Sequence, residues 1–283
     1  MKFNERFFSV FACVALGTLS ILSSAGCKGD ADKKIEADSS KTVAAKPVPG
    51  SAIPYDSSKR YIYLTWDDAP QPPGTNICRN IFLNEGVKAT FFVVGMNRFG
   101  VERSRMVDSL GKFYPQLLVA NHSYSHGFRN NYKSFYAQPD SAVNDFLRNE
   151  ADLKVPVKII RLPGNNSWVG KDGIKGPKST LNVCTRLDSL GYSVIGWDIE
   201  WRFMSKGGSI PVQSADEIIK EVNKKFENYY SNIPDNIVIL AHDRMFEKPQ
   251  FADSLRKVIS VLKQDPRNVF ETVDHYPGII RNN

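Results

Sequence analysis

Two adjacent carboxylates, Asp67 and Asp68, three of the chain's four histidines, His122, His126 and His242, and one arginine, Arg161, are the side chains whose types suggest joint chemistry. Two imidazoles and one carboxylate are a usual donor set for a catalytic divalent ion, because they leave positions open for water and substrate. A second carboxylate and a third histidine beside such an ion would supply a base and an acid for hydrolysis. Spacing alone does not select this chemistry. Asp67-Asp68-Ala69-Pro70 is equally a good solvated turn. Adjacent residues on a strand point to opposite faces, so both aspartates enter one site only if the strand bends or ends there, and Pro70 supplies an ending. His122 and His126 would stand about 13 Å apart on a straight strand and within about 6 Å on a helical turn. Joint ligation therefore demands that the chain turn between them, and Asn121 and Ser123 suit the start of a turn. His275 is read as a core histidine.

Runs rich in β-branched and aromatic residues occur at 61–66, 88–94, 116–121, 157–162, 192–197, 236–241 and 269–273. Segments with helical spacing lie between them. Ile77, Ile81 and Phe82 form one such face, ended by Gly86, and Ile218, Ile219, Val222 and Phe226 form another, opened by Ser214. No internal repeat is visible. This alternation predicts an α/β domain around a parallel sheet, open or closed into a barrel. In such a fold the C-terminal ends of the strands converge on one face. Asp67 and Asp68 follow the first run, His122 and His126 the third, Arg161 ends the fourth, Asp198 follows the fifth and His242 the sixth. Loops are polar, which would explain any one of these residues, but less readily the whole set.

Five segments then carry a resemblance. Thr65-Trp66-Asp67-Asp68-Ala69-Pro70, Ala89-Thr90-Phe91-Phe92-Val93-Val94-Gly95, His122-Ser123-Tyr124-Ser125-His126, Arg161-Leu162-Pro163 and Ile239-Leu240-Ala241-His242-Asp243 resemble, in order, the motifs of the polysaccharide deacetylases. These are the NodB-homology domains of carbohydrate esterase family 4. The resemblance runs from about Tyr61 to Val273. It implies a single distorted (β/α) barrel with about seven parallel strands. It also implies Asp68, His122 and His126 as ligands of a divalent metal, with zinc the expected ion, and Asp67 as catalytic base held by Arg161. His242 would be the general acid, oriented by Asp198 or Glu200 from Trp197-Asp198-Ile199-Glu200-Trp201. The implied activity is removal of N-acetyl groups from an envelope or extracellular polysaccharide, peptidoglycan or a chitin-like N-acetylglucosamine polymer, with release of acetate. Three positions depart from the family pattern: Ala69 stands where glycine is usual, Gly164 where a tyrosine commonly follows Arg-x-Pro, and Arg202-Phe203 where an Asp-Trp pair is usual. An O-acetyl esterase and a non-catalytic glycan-binding lipoprotein on the same fold are the alternatives. Tyr124, Trp168 and Trp201 could stack on sugar, although aromatics near strand ends are more often packing.

The ends of the chain add location. Lys2 and Arg6 precede an uncharged run, and Ser24-Ala25-Gly26-Cys27 closes it, so residues 1–26 read as a signal peptide of the lipoprotein type. Residues 27–59 are polar and are expected to be a tether, with the barrel over 60–283. The expected location is periplasmic or cell-surface, with a lipid on Cys27 anchoring the protein to a bacterial membrane. A formal charge of +7 suits an anionic envelope polymer or membrane surface. Mixed charge without a basic block argues against nucleic acid as a partner. A monomer is expected. Cys78 and Cys184 remain in the domain, and nothing in their placement argues for a bond between them.

Overall fold

Strict alternation on the first strand sets the architecture. The structure, a computed structural model, describes residues 48–205 and 208–279, so the expected signal peptide, Cys27 and the first part of the tether lie outside the described residues. On β1 (Arg60–Ala69), Ile62, Leu64 and Trp66 point outward, under the helices Gly74–Glu85, Ala215–Asn228 and Pro249–Leu262. Tyr61 and Tyr63 point inward, where Phe92, Leu118 and Val238 meet them. A strand buried on both faces must carry an apolar side chain at nearly every position, which is the near-continuous run seen in the sequence.

The remaining strands are β2 (Ala89–Val93), β3 (Leu117–Asn121), β4 (Ile159–Ile160), β5 (Trp168–Gly170), β6 (Gly173–Lys175), β7 (Ser193–Val194), β8 (Ile199–Glu200), β9 (Phe203–Met204), β10 (Ile210–Pro211), β11 (Asn236–His242) and β12 (Asn268–Phe270). The main sheet runs β6-β5-β7-β4-β3-β2-β1-β11-β8, with β12 beside the start of β1. From β7 to β8 every pair is parallel. One piece of chain joins its two edges, because Ser193–Val194 pairs with β4 and Ile199–Glu200 pairs with β11. The sheet therefore curls into the distorted barrel that the sequence implied.

Several strands are shorter than their apolar runs. The run at 157–162 pairs formally only at Ile159–Ile160, because the curl leaves single bonds in place of a ladder: Arg161 N–H to the Asn121 carbonyl at 3.0 Å and Ile195 N–H to the Ile160 carbonyl at 2.9 Å. The expected helix ends are present. Ser214 and Glu217 form a capping box, and Gly86 closes its helix in the left-handed region at φ 65°. Part of the segment expected as tether, residues 48–59, is described. Gly50 N–H donates to Asp274 Oδ2, and Tyr55 stacks on Tyr61 at 4.8 Å and receives a hydrogen bond from Asn236, so these residues pack on the barrel. Their few side chains suffice because the barrel supplies the partners. Cys78 and Cys184 are free and buried.

Candidate active site

Both aspartates reach one site because β1 is irregular where it ends. Its register with β2 shifts between Trp66 and Ala69, and Asp68 adopts φ 71°. A bulge of this kind re-aims a side chain that the pleat would send away. The strand runs through Asp67 and Asp68 to Ala69 before Pro70, so the bulge and not the proline turns the pair.

The turn demanded between the two histidines is also present, in an unusual form. Ser123 lies at φ 69°, and His126, Gly127, Phe128, Arg129 and Asn130 are all left-handed, with φ between 51° and 71°. For residues with a Cβ this conformation costs about 1–2 kcal/mol each. Local bonds hold the turn: Phe128 N–H donates to Ser125 Oγ at 2.9 Å, Gly127 N–H to Ser123 Oγ at 3.3 Å and Arg129 N–H to the Ser125 carbonyl at 2.8 Å. The two imidazole rings end with centroids 5.1 Å apart.

Asp68, His122 and His126 each offer a donor atom, and these atoms all lie within 4.8 Å of one another. His122 Nδ1 meets the Arg161 carbonyl at 3.0 Å and His126 Nδ1 meets Asn130 Oδ1 at 2.5 Å. Each ring can thus donate through Nδ1, which leaves Nε2 facing Asp68, as metal-ligating histidines require. Asp68 Oδ1 is buried without a well-formed hydrogen bond, 3.0 Å from His126 Nε2 and 3.6 Å from His122 Nε2. The carboxylate's other oxygen takes Arg244 Nη2 at 2.7 Å. An orphaned carboxylate oxygen facing two imidazole nitrogens fits a divalent ion. Burial opposes the charge on Asp68, but the imidazoles around it outweigh that and hold its pKa well below the usual carboxylate range.

Asp67 stands beside this set without belonging to it. Arg161, fully buried, donates to Asp67 Oδ1 at 3.0 Å, to Thr65 Oγ1 at 2.6 Å and to the carbonyls of Ile195 and Gly196 at 3.1 and 2.7 Å. Five N–H groups in a rigid fork make arginine suited to such a post. Asp67 Oδ2 faces His122 Nε2 at 3.5 Å.

His242 ends β11, next to Asp67 in register, and its Nε2 lies 3.8 Å from Asp68 Oδ2. Phe203 packs edge-on against its ring at 4.9 Å. Its Nδ1 is buried with no hydrogen-bond partner. Burial lowers the His242 pKa, and the facing carboxylates oppose this without reversing it. Of the two carboxylates considered for orienting it, Asp198 is spent elsewhere: its oxygens accept the N–H groups of Asn232 at 2.6 Å and Val238 at 2.8 Å. Glu200 lines the pocket with His242, although no hydrogen bond joins them in the described residues. The same pocket is lined by Asp67, Asp68, His122, His126, Asn130, Tyr132, Gly164, Trp197, Phe203 and Arg244. Of the aromatics considered for sugar stacking, Trp201 is buried in the outer core, Trp168 stacks on Tyr276 and Tyr124 lies under Arg148. All three are packing.

The residues not anticipated from sequence are Arg244, Tyr132, Asn130 and Phe203. Arg244 had the best available signal, two positions beyond His242 at a strand end. Phe203 is marked only as a departure from the family pattern, and Tyr132 and Asn130 carry no signal, since only the folded chain brings them in.

Residues 55–166 match the polysaccharide deacetylase family. A chitin disaccharide deacetylase of Vibrio alginolyticus is 23% identical over 324 aligned residues, spanning 83% of this chain and 75% of that protein. A CE4 esterase of Streptococcus mutans superposes with a TM-score of 0.57 at 20% identity, covering 76% of this chain and 86% of its own. The catalytic domain of a peptidoglycan N-acetylglucosamine deacetylase from Eubacterium rectale superposes with a TM-score of 0.55 at 20% identity, covering 85% and 99%. These solved structures share the fold. The matched segment also contains Asp67, Asp68, His122, His126 and Arg161, so the similarity to the polysaccharide deacetylase family covers most of the site as well as part of the scaffold.

Proposed function

We propose that this protein is a divalent-metal-dependent hydrolase that removes N-acetyl groups from an envelope or extracellular polysaccharide built on N-acetylglucosamine. The observation that carries this reading is the meeting of Asp68, His122 and His126 within 4.8 Å, beside a buried Asp67 that Arg161 holds outside the ligand set. The relatives from V. alginolyticus and E. rectale are named as deacetylases of such sugars, which supports the substrate class. Zinc is the ion we expect, although aspartate with two histidines accepts several divalent ions.

An amide resists hydrolysis because its carbonyl is a poor electrophile and its amine a poor leaving group. The bound ion would acidify water and polarise the acetyl carbonyl. Asp67 takes the proton of the attacking water, which it can do because Arg161 fixes one of its oxygens and leaves Oδ2 facing the site. His242, on the adjacent strand end, passes a proton to the departing sugar nitrogen. Phe203 shields its ring from solvent. The products are acetate and a free amine on the sugar. An ester needs the acid less, because an alcohol leaves more readily, so the same groups would serve an O-acetyl esterase.

The signal-peptide segment and Cys27 lead us to place the protein outside the cytoplasm, lipid-anchored in a bacterial envelope. The test is acetate release by purified residues 28–283, stripped of metal and then reloaded, from N-acetylglucosamine oligomers, peptidoglycan and acetylated xylan. Release from the first two supports the deacetylase, release from xylan alone supports the esterase, and release from none supports the glycan-binding alternative. Asp67→Asn and His242→Ala should each reduce turnover by about two to four orders of magnitude while leaving metal bound. Retained activity in either would refute that residue's role.

A further inference from the structure

His122 and His126 are held in different ways. The Nδ1 of His122 meets a main-chain carbonyl, that of Arg161, inside the barrel. The Nδ1 of His126 meets only the side chain of Asn130, on the left-handed turn at the pocket rim, where Asn130 is exposed. An exposed amide can rotate, and on rotation it would present an N–H group to Nδ1 in place of its oxygen. That would turn the lone pair of His126 toward Asn130 and its proton toward the metal site. Something must therefore hold Asn130, and Tyr132 does so, because its hydroxyl donates to the same Asn130 Oδ1 at 3.1 Å.

The ring of Tyr132 is itself seated firmly. A Cβ on Gly164 would fall 2.5 Å from its Cε2, and one on Gly127 would fall 2.8 Å from its Cδ1. The ring thus lies against two bare glycine backbones, both at positive φ, where a side chain would be strained as well as crowded. It stands edge-on to His126 at 5.8 Å and lines the pocket.

We propose that Tyr132 is a positioning residue for the metal: acting through Asn130, it holds His126 as an Nε2 ligand, and its ring, seated on Gly127 and Gly164, walls the pocket on that side. This rests on the metal-site reading above but not on the identity of the substrate. Asn130 is the intermediate, and the two glycines are what admit the ring.

The experiment is calorimetric titration of the metal-free full domain with zinc chloride, beside thermal melts without metal. Tyr132→Phe keeps the ring on its glycines and removes only the O–H. It should weaken zinc binding by about tenfold or more, the usual effect of losing an outer hydrogen bond to a ligating histidine, while the metal-free melting point stays at that of the parent. Asn130→Ala should weaken binding by at least as much, and Tyr132→Phe added to it should cost nothing further, since the two act in series. Asn130→Asp, with two acceptor oxygens and no N–H to misplace, should bind zinc as the parent does, and should do so with Phe at 132 as well. That rescue is specific to positioning, since a packing defect would not respond to it. Parental zinc affinity in Tyr132→Phe, or additive losses in the double variant, would overturn the proposal. Because binding is measured without turnover, failure to release acetate from any glycan would refute the deacetylase and leave this result standing. Absence of zinc binding by the parent protein would remove both the metal site and the role of Tyr132.

Discussion

The barrel has a cluster of histidine and carboxylate at each end, and only one of them is closed. Beside the start of β1, His275 Nδ1 meets Glu271 Oε2 at 2.5 Å, and Glu271 Oε1 meets Lys88 Nζ at 2.6 Å. Burial opposes the charge on Glu271, but the two partners outweigh it and its pKa is lowered. At the opposite end, Asp68 Oδ1 and His242 Nδ1 are buried without well-formed hydrogen bonds, and five residues with side chains, Ser123, His126, Phe128, Arg129 and Asn130, are held at positive φ in the turn that carries His126. An unsatisfied buried polar atom costs about 1–3 kcal/mol, so a site kept open is a cost carried by the rest of the fold. At the His275 end, Glu271, His275 and Lys88 spend their charged and polar groups on one another and gain stability. The His126 end withholds them and gains the capacity to bind.

Arg161 should mark the largest difference between the two ends. Arg161→Met strands Asp67 as an unpaired buried charge, and we expect a loss of about 3–5 kcal/mol in urea unfolding together with all acetate release. A loss below 1 kcal/mol would mean that the open end is wetter than its geometry indicates.

Metal should close the open end. Zinc at a hundredfold excess over its dissociation constant should add about 2.7 kcal/mol of stability, seen as a rise in melting temperature. Asp68→Asn or His122→Ala should abolish the rise, whereas Glu271→Gln should retain it in full. A rise that survives Asp68→Asn would place the ion somewhere else.

At the closed end, Glu271→Gln keeps shape but removes the charge shared by Lys88 and His275. A cost of about 1–2 kcal/mol is expected, with acetate release unchanged. Lost activity in that variant would show that the two ends are coupled.

The smallest effect is a dependence on pH. Burial, the largest influence on each, raises Asp243 to about 7 and Asp198 to about 6, against donors that act the other way. The native state keeps these two protons to higher pH than the unfolded chain does, so they contribute stability that declines as pH rises from about 4. Glu271, lowered, acts in the opposite sense, but only at pH below its unfolded value of about 4.3. Asp243→Asn, compared with the parent, should therefore lose stability less steeply between about pH 4 and pH 7. An unaltered slope in denaturant titrations would show that Asp243 is ionised throughout.

Much of this was legible before any coordinates. The β-rich run at 61–66 marked the first strand, and Ser214 and Gly86 marked helix ends, because strand composition and capping are local properties. His275 was read as a core histidine and is buried, but its pairing with Glu271 and Lys88 was not visible, since Lys88 lies far away in sequence. Asp198 and Glu200 could not be told apart from sequence. The curl of the sheet sends Asp198 to the backbone of Val238 and leaves Glu200 at the pocket.

Sequence by itself determined that an α/β sheet forms and that Asp67, Asp68, His122, His126, Arg161 and His242 gather at one end of it, since strand order and residue type are written along the chain. Tertiary structure alone decided how they face one another. The bulge at Asp68 forms against the neighbouring strand and Tyr132 is seated partly on the distant Gly164, whereas the left-handed turn at His126 is closed by nearby Ser123 and Ser125. Residue type alone does not mark a strained conformation, because whether its cost is offset depends on contacts that exist only in the folded chain.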